Sequence, residues 1–148
     1  HFEVIYKYSG QLYINAPDID FGTVKINSQK TEHNLPQDAK VVVVDTLKTD
    51  NWQLKLSLPE GIINTVEEGI DEPFIGDLVY YVSETEEQVI TEGGIIINED
   101  FNEDVFNTLN MKGDEQKGSG LKLRQHLGNS KGSCVGELHW ELVDGPNP

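Results

Sequence analysis

With one cysteine, Cys134, in 148 residues, the chain has no intramolecular disulfide to staple it, and its fold must rest on packing. The lone thiol leaves the redox compartment open. Long apolar runs are also missing: the longest β-branched block, Val41 to Val44, is far short of the ~20 residues of a membrane-spanning helix. Positive charge is scarce. Against 26 acidic residues stand 11 Lys and Arg, a formal charge of −15. That balance repels phosphate backbones, which excludes nucleic acid as a partner and disfavours adsorption to anionic lipid or polyphosphate. Neutral glycan or another protein is the easier ligand. The chain starts at His1-Phe2-Glu3 with no Met, basic n-region or apolar h-region, so the expectation is a signal peptide absent or already removed.

What is present is alternation. In Trp52-Gln53-Leu54-Lys55-Leu56-Ser57-Leu58 every second residue is apolar, the period of a half-buried strand, and Leu138-His139-Trp140-Glu141-Leu142 repeats the pattern. The only two tryptophans therefore each open a Trp-x-Leu step. Phe2 to Tyr8 and Gln11 to Asn15, divided by Ser9-Gly10, read as a hairpin or strand pair. Ile19 to Ile26 reads as a strand with a possible bulge at Gly22, Ser28 to Asp38 as a loop, and Ala39 to Thr46 as a strand buried on both faces. Further strands fall near Ile62-Ile63, Asp77 to Ser83, Gln88 to Thr91, Ile95 to Ile97, Leu121 to Leu123 and Cys134 to Val143. Gly93-Gly94 is a turn, and Lys112 to Gly120 a flexible loop. Glu67, Glu68, Asp71 and Glu72, and Glu84, Glu86 and Glu87, read as solvated acidic loops.

One segment departs from this pattern. Phe101, Val105, Phe106 and Leu109 recur at helical spacing, and Asp100 with Glu103 resembles a capping box, so a short helix is expected near residues 99–110. Many short strands at regular turn spacing predict an all-β, single-domain sandwich or barrel-like fold over residues 1–148. A chain of this length buries roughly two-thirds of its unfolded surface without disulfides or metals.

Several pieces occur in one order: Pro17-Asp18-Ile19-Asp20-Phe21-Gly22, then Val43-Val44-Asp45 leading to Trp52-x-Leu54, and finally Gly132-x-Cys134-x-Gly136-x-Leu138-x-Trp140-x-Leu142-Val143-Asp144. This order resembles the WxL-domain family of Gram-positive bacterial surface proteins, over essentially the whole chain. The resemblance implies an exported β-rich module, extracellular and attached non-covalently to the cell wall through peptidoglycan or another wall glycan. It also implies partners in a surface complex, among them a membrane-anchored protein. Carried over by position, the family's paired motifs fall on Trp52, Leu54, Trp140 and Leu142. In two places the chain diverges from the family pattern: Thr46 rather than Arg follows Asp45, and Cys134 rather than an aromatic stands six residues before Trp140.

A tryptophan face can stack on a sugar ring. The alternation puts Trp52 on the side of Leu54, Leu56 and Leu58, and Trp140 on the side of Leu138 and Leu142, so both rings are expected to point inward and to identify the fold. No catalytic constellation emerges. Cys134 and His139, five positions apart on one strand, would lie about 16 Å apart on opposite faces. A buried or half-buried thiol is the simpler expectation for Cys134.

His1, His33, His126 and His139 make no metal-ligand spacing. Asp18-x-Asp20 and the Glu99, Asp100, Glu103, Asp104 cluster offer hard oxygens without a calcium-loop pattern, and no carboxylate pair is raised above the others for glycoside hydrolysis. The expectation is a non-catalytic wall-binding module needing no cofactor or metal. The alternative is a structural or adhesive protein-interaction subunit of a surface complex.

Overall fold

A computed structural model describes residues 1–7, 12–19, 21, 31–45, 52–67, 69–97, 106–114 and 116–144. Thirteen strands are found there: β1 (Phe2–Lys7), β2 (Leu12–Asn15), β3 (Thr31–Asn34), β4 (Lys40–Asp45), β5 (Trp52–Ser57), β6 (Ile62–Glu67), β7 (Ile70–Pro73), β8 (Gly76–Ser83), β9 (Glu86–Ile90), β10 (Ile95–Ile97), β11 (Phe106–Asn110), β12 (Gly120–Gln125) and β13 (Ser133–Asp144). The protein is all-β, with curled antiparallel sheets that form a half-barrel. No helix among the described residues is long and apolar enough to cross a membrane.

The largest sheet runs β10-β5-β13-β6-β7, with β1 added to β13 in parallel. The 12-residue β13 is its spine. β5 and β6 follow one another along it, Ser57 facing His139 and Ile62 facing Gly136. A three-stranded sheet has the order β11-β4-β2, and a four-stranded one the order β3-β12-β8-β9. One buried apolar cluster draws on all three, including Ile14, Val41 and Val43 from the second sheet and Leu78, Leu121 and Leu123 from the third. Phe2 sits against its parallel partner Gly136, where a Cβ would come within 2.9 Å of the Phe2 ring, so only glycine leaves room for that ring. Phe21 closes on Phe2 edge-on at 5.9 Å between centroids.

The expected helix is not there over 106–110; the rest of that stretch, 98–105, lies outside the described residues. Phe106 to Asn110 is strand β11, paired with β4 so that Phe106 faces Val44 and Asn107 faces Val43. Phe106, one of the residues at helical spacing, is 68% exposed, while Asn107 is buried. Cross-strand pairing to a valine-rich neighbour has overridden local periodicity.

The hairpin or strand pair expected from the first two segments is not found among the described residues, where β1 pairs with β13 and β2 with β4. The stretch read as a loop from Ser28 contains β3, whose polar Thr31-Glu32-His33-Asn34 sequence pairs with β12 at a sheet edge. The first acidic stretch contains β7, fully exposed and turned back on β6 at Gly69, whose φ of 79° is the left-handed conformation such a turn needs. Ile19 bridges to Phe2; residues 20 and 22–30 of the strand expected there lie outside the described residues.

Candidate functional site

The two Trp-x-Leu steps lie side by side in one antiparallel ladder. Leu54 is directly opposite Leu142, Trp140 opposite Leu56, and Trp52 opposite Asp144. All four motif residues are buried, Trp52 at 2% and Trp140 at 1% exposure. Neither ring offers a face to a dissolved sugar. Trp52 Nε1 donates to Asp45 Oδ2 at 3.1 Å, and because Asp45 ends β4 the bond ties the second sheet to the first. Trp140 Nε1 is buried without a hydrogen-bond partner among the described residues.

Cys134 is buried on the core side of β13, and burial pushes its thiol up to about 12, which suppresses the nucleophilic thiolate near neutral pH. His139 has its ring 3.5 Å from Glu137, two residues before it on the strand. His126 Nε2 is 3.2 Å from Asp77, His33 Nε2 is 3.1 Å from Gln125, and His1 Nε2 is 3.3 Å from Asp18. No group of three or more His, Cys, Asp or Glu side chains arranged to hold a metal occurs among the described residues. Asp20 and the acidic residues 99–104 lie outside them.

The concentrated surface chemistry is on the four-stranded sheet. Strand alternation sends Leu121 and Leu123 of β12 into the core and Lys122 and Arg124 to the other face. There Arg124, the only arginine in the chain, meets side chains from three other strands. Its Nε donates to Glu32 Oε2 of β3 at 3.1 Å, and its Nη2 donates to the Tyr81 hydroxyl of β8 at 2.6 Å and to Glu87 of β9. Tyr81 in turn donates to Glu32. Lys122 Nζ lies 4.6 Å from the Tyr81 ring centroid, a cation–π contact.

These contacts shift Glu32, Tyr81, Glu87 and Arg124. Burial and then the bond to Glu32 push the Tyr81 phenol up to about 12. Burial works to raise Glu32, yet the bonds from Tyr81 and Arg124, with the charges of Arg124 and Lys122, hold it below its ordinary value. The Arg124 bond lowers Glu87, and the bond to Glu87 raises Arg124 against the opposing effect of burial.

Thr31, Glu32, Tyr81, Arg124 and His126 line an open cleft of about 510 Å³ beside this network. His126 is held there by the turn after β12: its backbone N donates to Ile75 O at 2.9 Å, and Asn129 Nδ2 donates to His126 O at 3.0 Å and to Ile75 O at 2.7 Å. A second cleft, of about 490 Å³, is lined by Leu58, Phe74, Leu78 and Ile90 with Glu60 and Glu92.

Nothing local in the sequence brings Glu32, Tyr81, Glu87 and Arg124 together: Glu87 reads as part of a solvated acidic loop and Glu32 as part of a polar loop. The available signal was the alternation of Leu121-Lys122-Leu123-Arg124, which places both cations on one face of a strand. No family model, no curated protein and no solved structure matches the chain.

Proposed function

We propose that this chain is a non-catalytic module of a bacterial surface protein that attaches without covalent bonds to the Gram-positive cell wall, with peptidoglycan as its ligand. The observation that carries the proposal is the pairing of Leu54 with Leu142, which joins the two Trp-x-Leu steps into one buried ladder. Two copies of a short motif are unremarkable when scattered. Placed on adjacent strands with their leucines opposed, they are one structural unit, as a motif that marks a domain family should be. The formal charge of −15 agrees with a weakly charged wall polymer as ligand and disagrees with polyphosphate. Co-sedimentation with purified Gram-positive peptidoglycan tests the reading: the folded protein should pellet with the wall, and a folded protein left in the supernatant overturns it.

A second reading, a protein-interaction subunit of a surface complex, is favoured by a row of exposed apolar residues across three strands. Val135 of β13 faces Ile63 of β6, which faces Pro73 of β7, and Val135 and Ile63 are 42% and 41% exposed. Capture of a surface protein without wall material, abolished by Ile63→Asp, would support this role.

A further inference from the structure

We propose that the cleft beside Arg124 is a saccharide site that takes a neutral, hydroxyl-rich glycan. The proposal rests on the wall-binding reading and locates its contact surface. Four separate strands deliver Glu32, Tyr81, Glu87 and Arg124 to one place on the outer face of the β3-β12-β8-β9 sheet. Among the described residues Arg124 donates through Nε and Nη2, and Glu32 and Glu87 each accept through Oε2. The cleft is lined by Arg124 together with Glu32, Tyr81, Thr31 and His126, side chains that set hydrogen-bond donors beside acceptors.

A sugar hydroxyl both donates and accepts, so neighbouring hydroxyls match an array in which donors and acceptors stand next to one another. The bonds within the network hold that array in place before a ligand arrives, which reduces the ordering cost of binding. Its charge selects against other ligands. The two glutamates balance Arg124 and Lys122, so the cleft has no positive excess to draw a polyanion. Recognition proceeds through hydroxyls rather than ring stacking, because Tyr81 is buried and Lys122 lies over its ring. The cleft, at about 510 Å³, is within the range of small-ligand sites, roughly 300–1,000 Å³.

The test uses two probes and two kinds of variant. ¹⁵N-labelled protein is titrated with tetra-N-acetylchitotetraose, a neutral glycan without peptide, and separately with a peptidoglycan stem tetrapeptide. Wild type, Arg124→Lys, Thr31→Trp and the distant control Glu72→Gln are also sedimented with peptidoglycan, each confirmed folded by circular dichroism. Arg124→Lys keeps the charge and removes the fork; Thr31→Trp fills the cleft and leaves the network in place.

The glycan should shift amide resonances around residues 31–33, 81, 87 and 122–126. Both cleft variants should bind the wall at least about tenfold more weakly, Arg124→Lys by losing a charge-assisted hydrogen bond and Thr31→Trp by occupying the cleft, while Glu72→Gln binds as wild type. Wall binding unchanged in both cleft variants, or shifts produced by the peptide alone, overturns the site and leaves wall attachment standing. Glycan shifts at the cleft without sedimentation of the wild type support the site and overturn attachment. Neither shifts nor sedimentation overturns both.

Discussion

Trp52 donates its indole N–H to the buried carboxylate of Asp45 across 3.1 Å, linking the first motif to the end of the valine strand. Trp140, the equivalent residue of the second motif, has no such partner among the described residues. The tryptophans look equivalent in sequence and differ in the core.

That difference predicts unequal costs for the same substitution. Both Trp52→Phe and Trp140→Phe remove ring volume, but only the first leaves Asp45 without the indole donor, an extra loss of about 1–3 kcal/mol. Urea unfolding should place Trp52→Phe below Trp140→Phe by that margin. Equal midpoints and slopes would mean the Asp45 bond contributes nothing net.

Burial of both rings predicts the optical behaviour of the folded protein. Tryptophan emission should be blue-shifted, resist acrylamide quenching, and stay unchanged when wall glycan binds; quenching as efficient as in urea would contradict the packing around β5 and β13.

Cys134 should be inert while the protein is folded. Its thiol is buried and held up to about 12, so a disulfide reagent at mildly alkaline pH should react only as fast as the chain opens. The reaction rate should climb with urea, and prompt labelling of native protein would contradict this.

Much of the fold was legible in the sequence, for a physical reason. Where a strand has one face on the core, as at Trp52 to Leu58 and Leu138 to Leu142, apolar and polar residues must alternate, and the alternation is readable. β3 and β7 are edge strands with little core burial; their mostly exposed positions carry no such signature. The helical spacing around Phe106 misled because β11 is fixed by its ladder to β4, and no local pattern records a distant partner. The same limit hid the polar cluster: Glu32 and Arg124 are 92 residues apart, and each looks like an ordinary exposed charge until β3 and β12 pair.

The cluster should leave its mark on stability against pH. Glu32 and Glu87 are held below the ordinary 4.5, so their contribution is present above that value and lost as pH falls through their lowered values. Tyr81 is raised from 10 to about 12, so its contribution is complete below pH 10 and lost as pH rises through about 12. Melting temperatures across both windows should fall for wild type, and Arg124→Gln should flatten the acid limb. An acid limb unchanged in that variant would show that the ion pairs do not set it.

The most direct test of the whole account is peptidoglycan co-sedimentation of the wild type beside Trp52→Phe and Trp140→Phe, each verified as folded. The account predicts that all three pellet with the wall, because the motif rings build the core and do not touch the ligand. A folded wild type that stays in the supernatant, or a folded Phe variant that loses binding, would contradict it.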